Sequence, residues 1–202
     1  MSNTQPKQPY HHENLRFELI QAGISIIAQQ GVEKLSMRKL AAACGVSHAA
    51  PYKHFSNKEE FLGAVIEHAV DEFARQLSCG LENQSASPHA KLVELGKNYV
   101  RFMVEHPDYF RLLFFDGFLS SLSAESYAEQ DRFHAAYTLF RKIAIEYLDS
   151  INAPREEYYE DIVAMWAVVH GLAMMIIQGN ISTKGDSLEL VERILTNKLT
   201  FG

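Results

Sequence analysis

The chain has 202 residues and a hydrophobic content of 47%, which is enough for a sizeable core and for more than one domain. Its net charge of -6 hides an asymmetry, because residues 1–60 carry seven Lys and Arg against five Asp and Glu, whereas residues 61–202 carry twelve against twenty. A basic end (+2) joined to an acidic body (-8) favours contact with a polyanion at the N-terminal third and disfavours it elsewhere.

The composition also disfavours metal, secretory and membrane classes. Cys44 and Cys79 have no CxxC spacing and no histidine at ligand spacing beside them, so we predict ordinary thiols and no metal site; redox sensing is the less favoured alternative. The first residues are polar, unlike a signal peptide, and the longest apolar run, residues 162–177, has 16 residues, which is short for a membrane span. We expect a cytoplasmic protein with no membrane partner and no cofactor.

The first predicted elements are an arm and a long helix. Residues 1–10 are polar and contain two prolines, so we expect a flexible arm that could touch DNA. A helix is predicted from about His12 to Gln30, with Gly31 as its stop. Its apolar residues would close the core of a small helical domain: Leu15, Leu19, Ala22, Ile26 and Ile27.

The next stretch, from Ser36 to Phe61, is the part of the chain around which the rest is organised. Ser36 can cap a short helix that ends at Gly45. After a tight turn, Ser47 can cap a second helix, predicted over His48 to Phe55. The first of these helices would bury Met37, Leu40, Ala41 and Cys44. Two short helices joined by a glycine turn are typical of a helix-turn-helix.

A third helix is predicted over residues 58–77, and about twenty residues of helix span about 30 Å. Two alternative capping boxes precede it, one of Ser56 with Glu59 and one of Asn57 with Glu60.

The residues from Ser47 to Leu62 follow the pattern Ser-x-x-x-x-Tyr-x-His-Phe-x-x-Lys-x-x-Phe-Leu. This pattern resembles the DNA-binding signature of TetR-family transcriptional regulators. The resemblance implies that side chains at four matching positions hold the sugar-phosphate backbone or reach a base: Arg38, Tyr52, His54 and Lys58. Pro51 departs from the leucine-like residue that is common in the family, and its ring would crowd the first turn of the second helix.

The physical chemistry of duplex recognition adds further candidates. Helix N-termini at Ser36, Ser47 and Lys58 are natural anion sites. At the start of the second helix, four residues would face base edges in the major groove: His48, Ala49, Tyr52 and Lys53. The set of candidate DNA-binding residues is Ser36, Arg38, Ser47, His48, Ala49, Tyr52, Lys53, His54 and Lys58. For Phe55 we favour burial over contact.

After a polar loop over residues 78–88, the rest of the chain is predicted to be helical and rich in aromatic residues. Helices are predicted over residues 91–105, 108–119, 121–150, 158–178 and 187–199. Aromatic stripes at helical spacing are usually core, but polar groups among them suit a mainly apolar pocket, and the resemblance places an inducer site in this region. The candidate ligand-binding residues are Tyr99, Phe102, Met103, His106, Phe110, Phe114, Phe118, Phe133, Tyr137, Trp166 and His170.

The segment Tyr158 to Gln178 is apolar on nearly all sides, so it should be buried on two of them. Gly171 would allow a second helix to approach closely. The pattern Trp166-x-x-x-His170-Gly171 resembles one branch of the family, which implies a homodimer formed through the last two helices of each subunit.

These observations predict an all-α fold of about nine helices. We expect an arm (1–10), a three-helix helix-turn-helix domain (11–57), a connecting helix (58–80) and a larger ligand-binding and dimerisation domain (81–202). The resemblance implies a repressor, not an enzyme, that a small-molecule effector releases from a palindromic double-stranded DNA operator. The alternative is a helix-turn-helix protein whose C-terminal domain binds a protein partner, or carries a ligand without inducer control.

Overall fold

The computed structural model describes residues 12–82, 85–114, 127–181 and 186–198, with the side chains of all of these except 12–14 and 127–135. The described residues contain eight α-helices, three short 3-10 helices and no strand, which confirms the all-α class. The α-helices are α1 (His12–Gln30), α2 (Met37–Ala43), α3 (Lys58–Leu77), α4 (Pro88–Glu105), α5 (Pro107–Phe114), α6 (Tyr127–Ser150), α7 (Tyr158–Ile177) and α8 (Ser187–Asn197). The arm over residues 1–10 lies outside the described residues.

The chain divides into two compact units, and the boundary between Ile66 and Glu67 lies inside α3. The domain limits expected from the sequence, at 57/58 and 80/81, stay predictions.

The core of the first unit is built by α1 and the first half of α3. Leu19, Ile24 and Ile27 on α1 are almost fully buried. A Cβ atom added at Gly23 would lie 2.4 Å from the Phe61 ring, so glycine is what lets α1 and α3 approach this closely. Gly31, with a φ of +81°, ends α1 where the sequence predicts.

Both ends of α2 are capped as the sequence predicts. The Ser36 hydroxyl accepts a hydrogen bond from the Lys39 N–H at 3.2 Å. At the other end, Gly45 has a φ of +66°, and the N–H groups of Gly45 and Val46 donate to the carbonyls of Ala42 and Ala41. This pairing is a Schellman motif, which satisfies the last carbonyls of the helix.

The prediction of a helix from His48 to Phe55, capped by Ser47, is wrong. The chain instead makes a turn at 48–50 and a 3-10 helix over Pro51–Lys53, whose N-cap is Ala50. Pro51 is the physical reason: it has no N–H to donate to the Ser47 carbonyl, and its ring crowds that carbonyl. The Ala50 N–H donates to the Ser47 carbonyl instead, at 2.9 Å, which is the i→i−3 spacing of a tight turn.

The start of α3 has one of the two bonds of the second capping box: the Asn57 side chain accepts from the Glu60 N–H at 2.7 Å. The Glu60 carboxylate accepts from the N–H of Ser56 at 2.7 Å, one residue before the Asn57 N–H that a capping box would use. These backbone and side-chain bonds from Ser56 lower the pKa of Glu60, because they favour the charged carboxylate. From this start, α3 runs for 20 residues, as predicted.

In the second unit, α4 contacts α6, α7 and α8. A Cβ atom at Gly96 would lie 2.7 Å from Leu195 on α8 and 3.2 Å from Val169 on α7, so this glycine permits a close three-helix contact. Asn98 is 2% exposed and donates to the carbonyls of Leu77 and Cys79 at 3.3 and 2.7 Å. It therefore ties the C-terminal end of α3 to the middle of α4.

Within this chain, α7 is covered on only part of its surface. Tyr159 is 73% exposed and Val163 47% exposed. The stretch Arg155–Ile177 is long and apolar enough to cross a membrane by length and composition alone, with a mean hydropathy of 1.6, and 28% of its apolar window is buried. This is weak evidence for a membrane, because the core helix of a soluble protein passes the same test.

Candidate nucleic-acid interface and ligand cavity

The nine candidate DNA-binding residues all lie in the first unit, between the N-cap of α2 and the first residue of α3. Most of their side chains are exposed: those of Ser36, Arg38, Ser47, His48, Ala49, Tyr52 and Lys53. His54 and Lys58 are half-buried. The structure therefore presents a mainly polar surface along this segment, as a nucleic-acid interface requires.

Two buried residues hold the 3-10 segment in place. Pro51 is buried, and Phe55 is 1% exposed with its ring edge-on to Phe61 at 5.0 Å. The Arg16 guanidinium lies over the Phe55 ring, 5.2 Å from its centroid. Phe55 is thus a core residue, as its burial preference predicts, whereas Tyr52 between the two anchors is 56% exposed.

The Lys58 ammonium group is already engaged in the DNA-free protein. Its Nζ donates to the Val32 carbonyl at 3.1 Å, which holds the amine beside the first turn of α3. An ammonium group has three donors, so one such bond leaves capacity for an anion. Similarly, the Ser36 oxygen accepts the capping bond, but its hydroxyl proton remains available as a donor.

Cys44 shows no sign of an activated thiol. Burial raises the pKa of its thiol, with a smaller contribution from the charge of Glu18, and its Sγ lies 3.7 Å from the Glu18 carbonyl. A raised pKa means less thiolate at neutral pH, which disfavours redox sensing at this residue.

A cavity lies inside the second unit, among α3, α4, α5, α6, α7 and α8. A water-sized sphere can occupy about 80 Å³ of it, within about 820 Å³ of space between atoms that includes open solvent. The walls are mostly apolar or aromatic: Phe73, Leu77, His89, Leu92, Val93, Leu95, Gly96, Tyr99, Phe114, Ala136, Tyr137, Phe140, Tyr147, Met165, Trp166, Val169 and Leu195.

Of the candidate ligand-binding residues, the cavity brings together Tyr99, Phe114, Tyr137 and Trp166. Other candidates are not among the described lining residues. Phe102, Met103 and Phe110 are buried in the core. His106 is exposed and stacks against Phe102 at 5.1 Å. Phe118 and the side chain of Phe133 lie outside the described residues.

His170 is not among the described lining residues, but it contacts the lining residues Tyr99 and Phe114. Its Nδ1 is 2.8 Å from the Tyr99 hydroxyl, and the rings of Phe110 and Phe114 lie 5.1 and 5.0 Å away. Burial lowers the pKa of His170, which favours the neutral ring. Burial also raises the pKa of the Tyr99 hydroxyl, against a smaller opposing effect of a hydrogen bond from Trp166. Both groups therefore stay uncharged at neutral pH.

Sequence reasoning missed several wall residues, among them Phe73 and Leu77 at the end of α3 and Leu195 on α8. Their apolar character was evident, and their helices were predicted. No local signal shows which buried face of a helix borders empty space. Among the described residues, no group of three His, Cys, Asp or Glu could hold a metal ion.

Comparison with protein families matches both units of the chain. Residues 19–65 match the model described as bacterial regulatory proteins, tetR family. Residues 92–197 match the model of a tetracycline repressor-like C-terminal domain. The first match contains α2 and the whole of the 3-10 segment, and the second contains most of the cavity wall.

Individual relatives and solved structures share about a third of their residues or fewer with this chain over the matched regions. A helix-turn-helix transcriptional repressor of Mycobacterium tuberculosis is 31% identical over 71 residues, which is 35% of this chain and 38% of that protein. A structure of unknown function from Rhodococcus sp. RHA1 is 26% identical, with a TM-score of 0.73 over 96% of this chain and 99% of its own. The structure of AibR with isovaleryl coenzyme A and operator DNA shares the fold, with 19% identity and a TM-score of 0.70 over 92% and 97% of the two chains.

Proposed function

Since this chain belongs to the TetR family of transcriptional regulators, we propose that it is a homodimeric repressor that a small molecule releases from its operator. The observation that carries the proposal is the cavity lined by apolar and aromatic side chains within the unit that matches the family's C-terminal domain. A regulator that worked through a protein partner alone would not need such a cavity inside this unit.

The first unit supplies the DNA-binding part of the proposal. Its surface segment offers hydroxyl, imidazole, phenol and amine groups, and the basic balance of residues 1–60 favours a polyanion there. We assign phosphate contacts to Ser36, Arg38 and Lys58. We assign base contacts to the exposed residues His48 and Lys53, whose substitution should alter sequence preference.

The 3-10 helix over Pro51–Lys53 limits which side chains can make those base contacts. Three residues of 3-10 helix present fewer side chains in register than an α-helix of eight. We therefore expect base recognition to depend on the turn at 48–50 together with Tyr52 and Lys53, held by the buried Pro51 and Phe55.

The surface of α7 supports the dimer. Exposed apolar side chains occur along it at Tyr159, Val163 and Met175, which a monomer would leave in water. A Cβ atom at Gly171 meets no atom within 4 Å, so the helix surface is open there to a partner helix. We propose that α7 and α8 pair with the same helices of a second subunit. Two recognition segments would then meet half-sites about one helical turn (~34 Å) or more apart.

Helix α3 supports coupling between effector and operator. Its first residue is the proposed phosphate ligand Lys58, and its last turns place Phe73 and Leu77 in the cavity wall. An effector that binds one position of α3 more tightly than another would shift the population of DNA-competent molecules. By linkage, operator DNA must weaken effector binding by the same factor.

The test begins with fragments of the DNA upstream of the protein's own coding region. Retardation of one fragment over a scrambled competitor identifies the operator, and a compound screen for release identifies the effector. Effector affinity is then measured with and without operator. Equal affinities in the two titrations would contradict the coupling between effector and operator. If the protein bound no DNA fragment, the alternative of a carrier or partner-binding protein would be favoured.

A further inference from the structure

The cavity can be characterised further by the charges and polar groups of its wall. This inference rests on the proposed function, in which the cavity is the effector site. We infer that the cavity binds an uncharged, predominantly apolar molecule with one hydrogen-bonding group placed at the Tyr99 hydroxyl.

The absence of charge in the described wall is the first step. No Lys, Arg, Asp or Glu is among the described lining residues, whose ionisable members are one histidine and three tyrosines. A charged ligand group buried there would lose its hydration without gaining an ion pair, and that exchange is strongly unfavourable. An uncharged ligand avoids this cost.

Two cations of α4 that lie close in sequence to wall residues are engaged elsewhere. Lys97, next to the lining residue Gly96, forms ion pairs with Glu94 at 3.1 Å and Glu192 at 3.2 Å. Arg101 donates to the Asn98 amide oxygen at 2.7 Å. Turning either group toward a bound anion would break these contacts.

The position of the polar group follows from Tyr99. This side chain is 6% exposed, and its hydroxyl is held by His170 at 2.8 Å, so it cannot rotate freely. α3 and α8 contribute only apolar side chains to the described wall, and its other polar groups belong to His89, Tyr137, Tyr147 and Trp166. Because the direction of the Tyr99 hydroxyl is set before binding, it favours ligands with a matching hydroxyl, carbonyl or N–H group at that point.

This chemistry differs from that of a ligand seen in a protein of the same fold. AibR has been crystallised with isovaleryl coenzyme A. Coenzyme A carries several phosphate charges, which proteins normally meet with Arg, Lys or helix N-termini. The described wall of this cavity supplies no Arg or Lys, so we do not expect a coenzyme A thioester to enter it.

Two related dyes test the charge. N-phenyl-1-naphthylamine is uncharged and has one N–H, and 8-anilino-1-naphthalenesulfonate has the same rings with an added sulfonate. Trp166 is the chain's single tryptophan and lies in the wall, so energy transfer from it reports a dye bound near this wall, and the Tyr99 variant below separates the cavity from the surface. We expect the neutral dye to bind at least about tenfold more tightly. Equal affinities with equal energy transfer would overturn the inference.

Matched tyrosine variants test the polar group. Tyr99→Phe removes the hydroxyl from the wall, whereas Tyr109→Phe removes a buried hydroxyl that lies 3.1 Å from His68 Nε2, away from the described lining. Tyr99→Phe should lower the affinity for the neutral dye by about three- to tenfold, which is the usual contribution of one neutral hydrogen bond. Tyr109→Phe should leave its affinity unchanged. The N-methylated dye, which lacks the N–H, should bind both variants alike, and an equal loss in both variants would contradict the role of Tyr99.

The outcomes separate this inference from the proposed function. If the neutral dye binds as expected but every compound that fills the cavity leaves operator binding intact, the inferred ligand class is supported and the role of the cavity as the effector site is contradicted. If isovaleryl coenzyme A displaces the dye from Trp166 and releases the operator, the effector role stands and the uncharged ligand class is wrong.

Discussion

The candidate sites of the two units are built in different ways. In the first unit, exposed side chains between Ser36 and Lys58 lie on a short segment that is held by helix caps and by the buried ring of Phe55. In the second unit, residues as distant in sequence as Phe73 and Leu195 line one cavity. The first site depends on local geometry and the second on the packing of six helices, so substitutions should separate stability from function in the first unit far more cleanly than in the second.

The largest expected effect compares two aromatic residues of the first unit. Phe55→Ala removes a fully buried ring and should destabilise the protein by about 3–5 kcal/mol, measured by denaturant unfolding followed by circular dichroism. Tyr52→Ala removes a largely exposed ring, so its unfolding free energy should stay within about 0.5 kcal/mol of the wild type while operator binding falls by about tenfold or more. Similar destabilisation by both changes would contradict the separation.

Two serine caps give a matched test across the units. Ser36 caps α2 and Ser87 caps α4, with capping bonds of 3.2 and 3.1 Å. Ser36→Ala and Ser87→Ala should each cost about 1 kcal/mol of unfolding free energy, because each leaves a helix N–H without its partner. Only Ser36→Ala should also weaken operator binding in a fluorescence anisotropy titration. Loss of operator binding in Ser87→Ala would place that cap, unexpectedly, in the DNA-binding machinery.

Lys58 tests the electrostatic part of the first site. Lys58→Ala should weaken binding to all DNA sequences and lower the slope of log affinity against log salt by about one, since one phosphate contact is lost. Lys142→Ala, a change of an exposed lysine on α6, is the control and should leave the slope unaltered. An unchanged slope in Lys58→Ala would contradict the assignment of a phosphate contact to Lys58.

The smallest expected effect concerns pH and the second unit. Burial lowers the pKa of His170, so between that value and its ordinary value of 6.5 the unfolded chain binds more protons than the folded one. The stability from neutral His170 is complete above pH 6.5 and is lost as the pH falls below it. Thermal unfolding from pH 7.5 to 5.5 should therefore show a smaller decrease for His170→Asn than for the wild type. Identical decreases would show that the histidine titrates alike in both states.

Local sequence signals were sufficient for most of the first unit. The stop at Gly31, the cap at Ser36 and the start of α3 follow from residues only a few positions apart, and the structure has them where the patterns predict. The predicted helix over 48–55 does not form, because the missing N–H and the ring of Pro51 outweigh the cap signal of Ser47.

The cavity shows what local patterns do not contain. Tyr99 and Phe102 are neighbouring aromatic residues on the buried side of α4, yet only Tyr99 is among the lining residues. The difference arises from which helices pack beside each one, and those helices come from distant parts of the chain. Periodicity therefore predicts that both are buried, but it does not predict which borders empty space.

Asn98 anchors the C-terminal end of α3. Its amide donates to the carbonyls of Leu77 and Cys79, so this end of the helix is fixed to α4. Phe73 lies one turn before Leu77, and both residues line the cavity. Under the coupling that we propose, a ligand that displaces Phe73 would therefore turn α3 about this anchor and would not shift the helix along its axis.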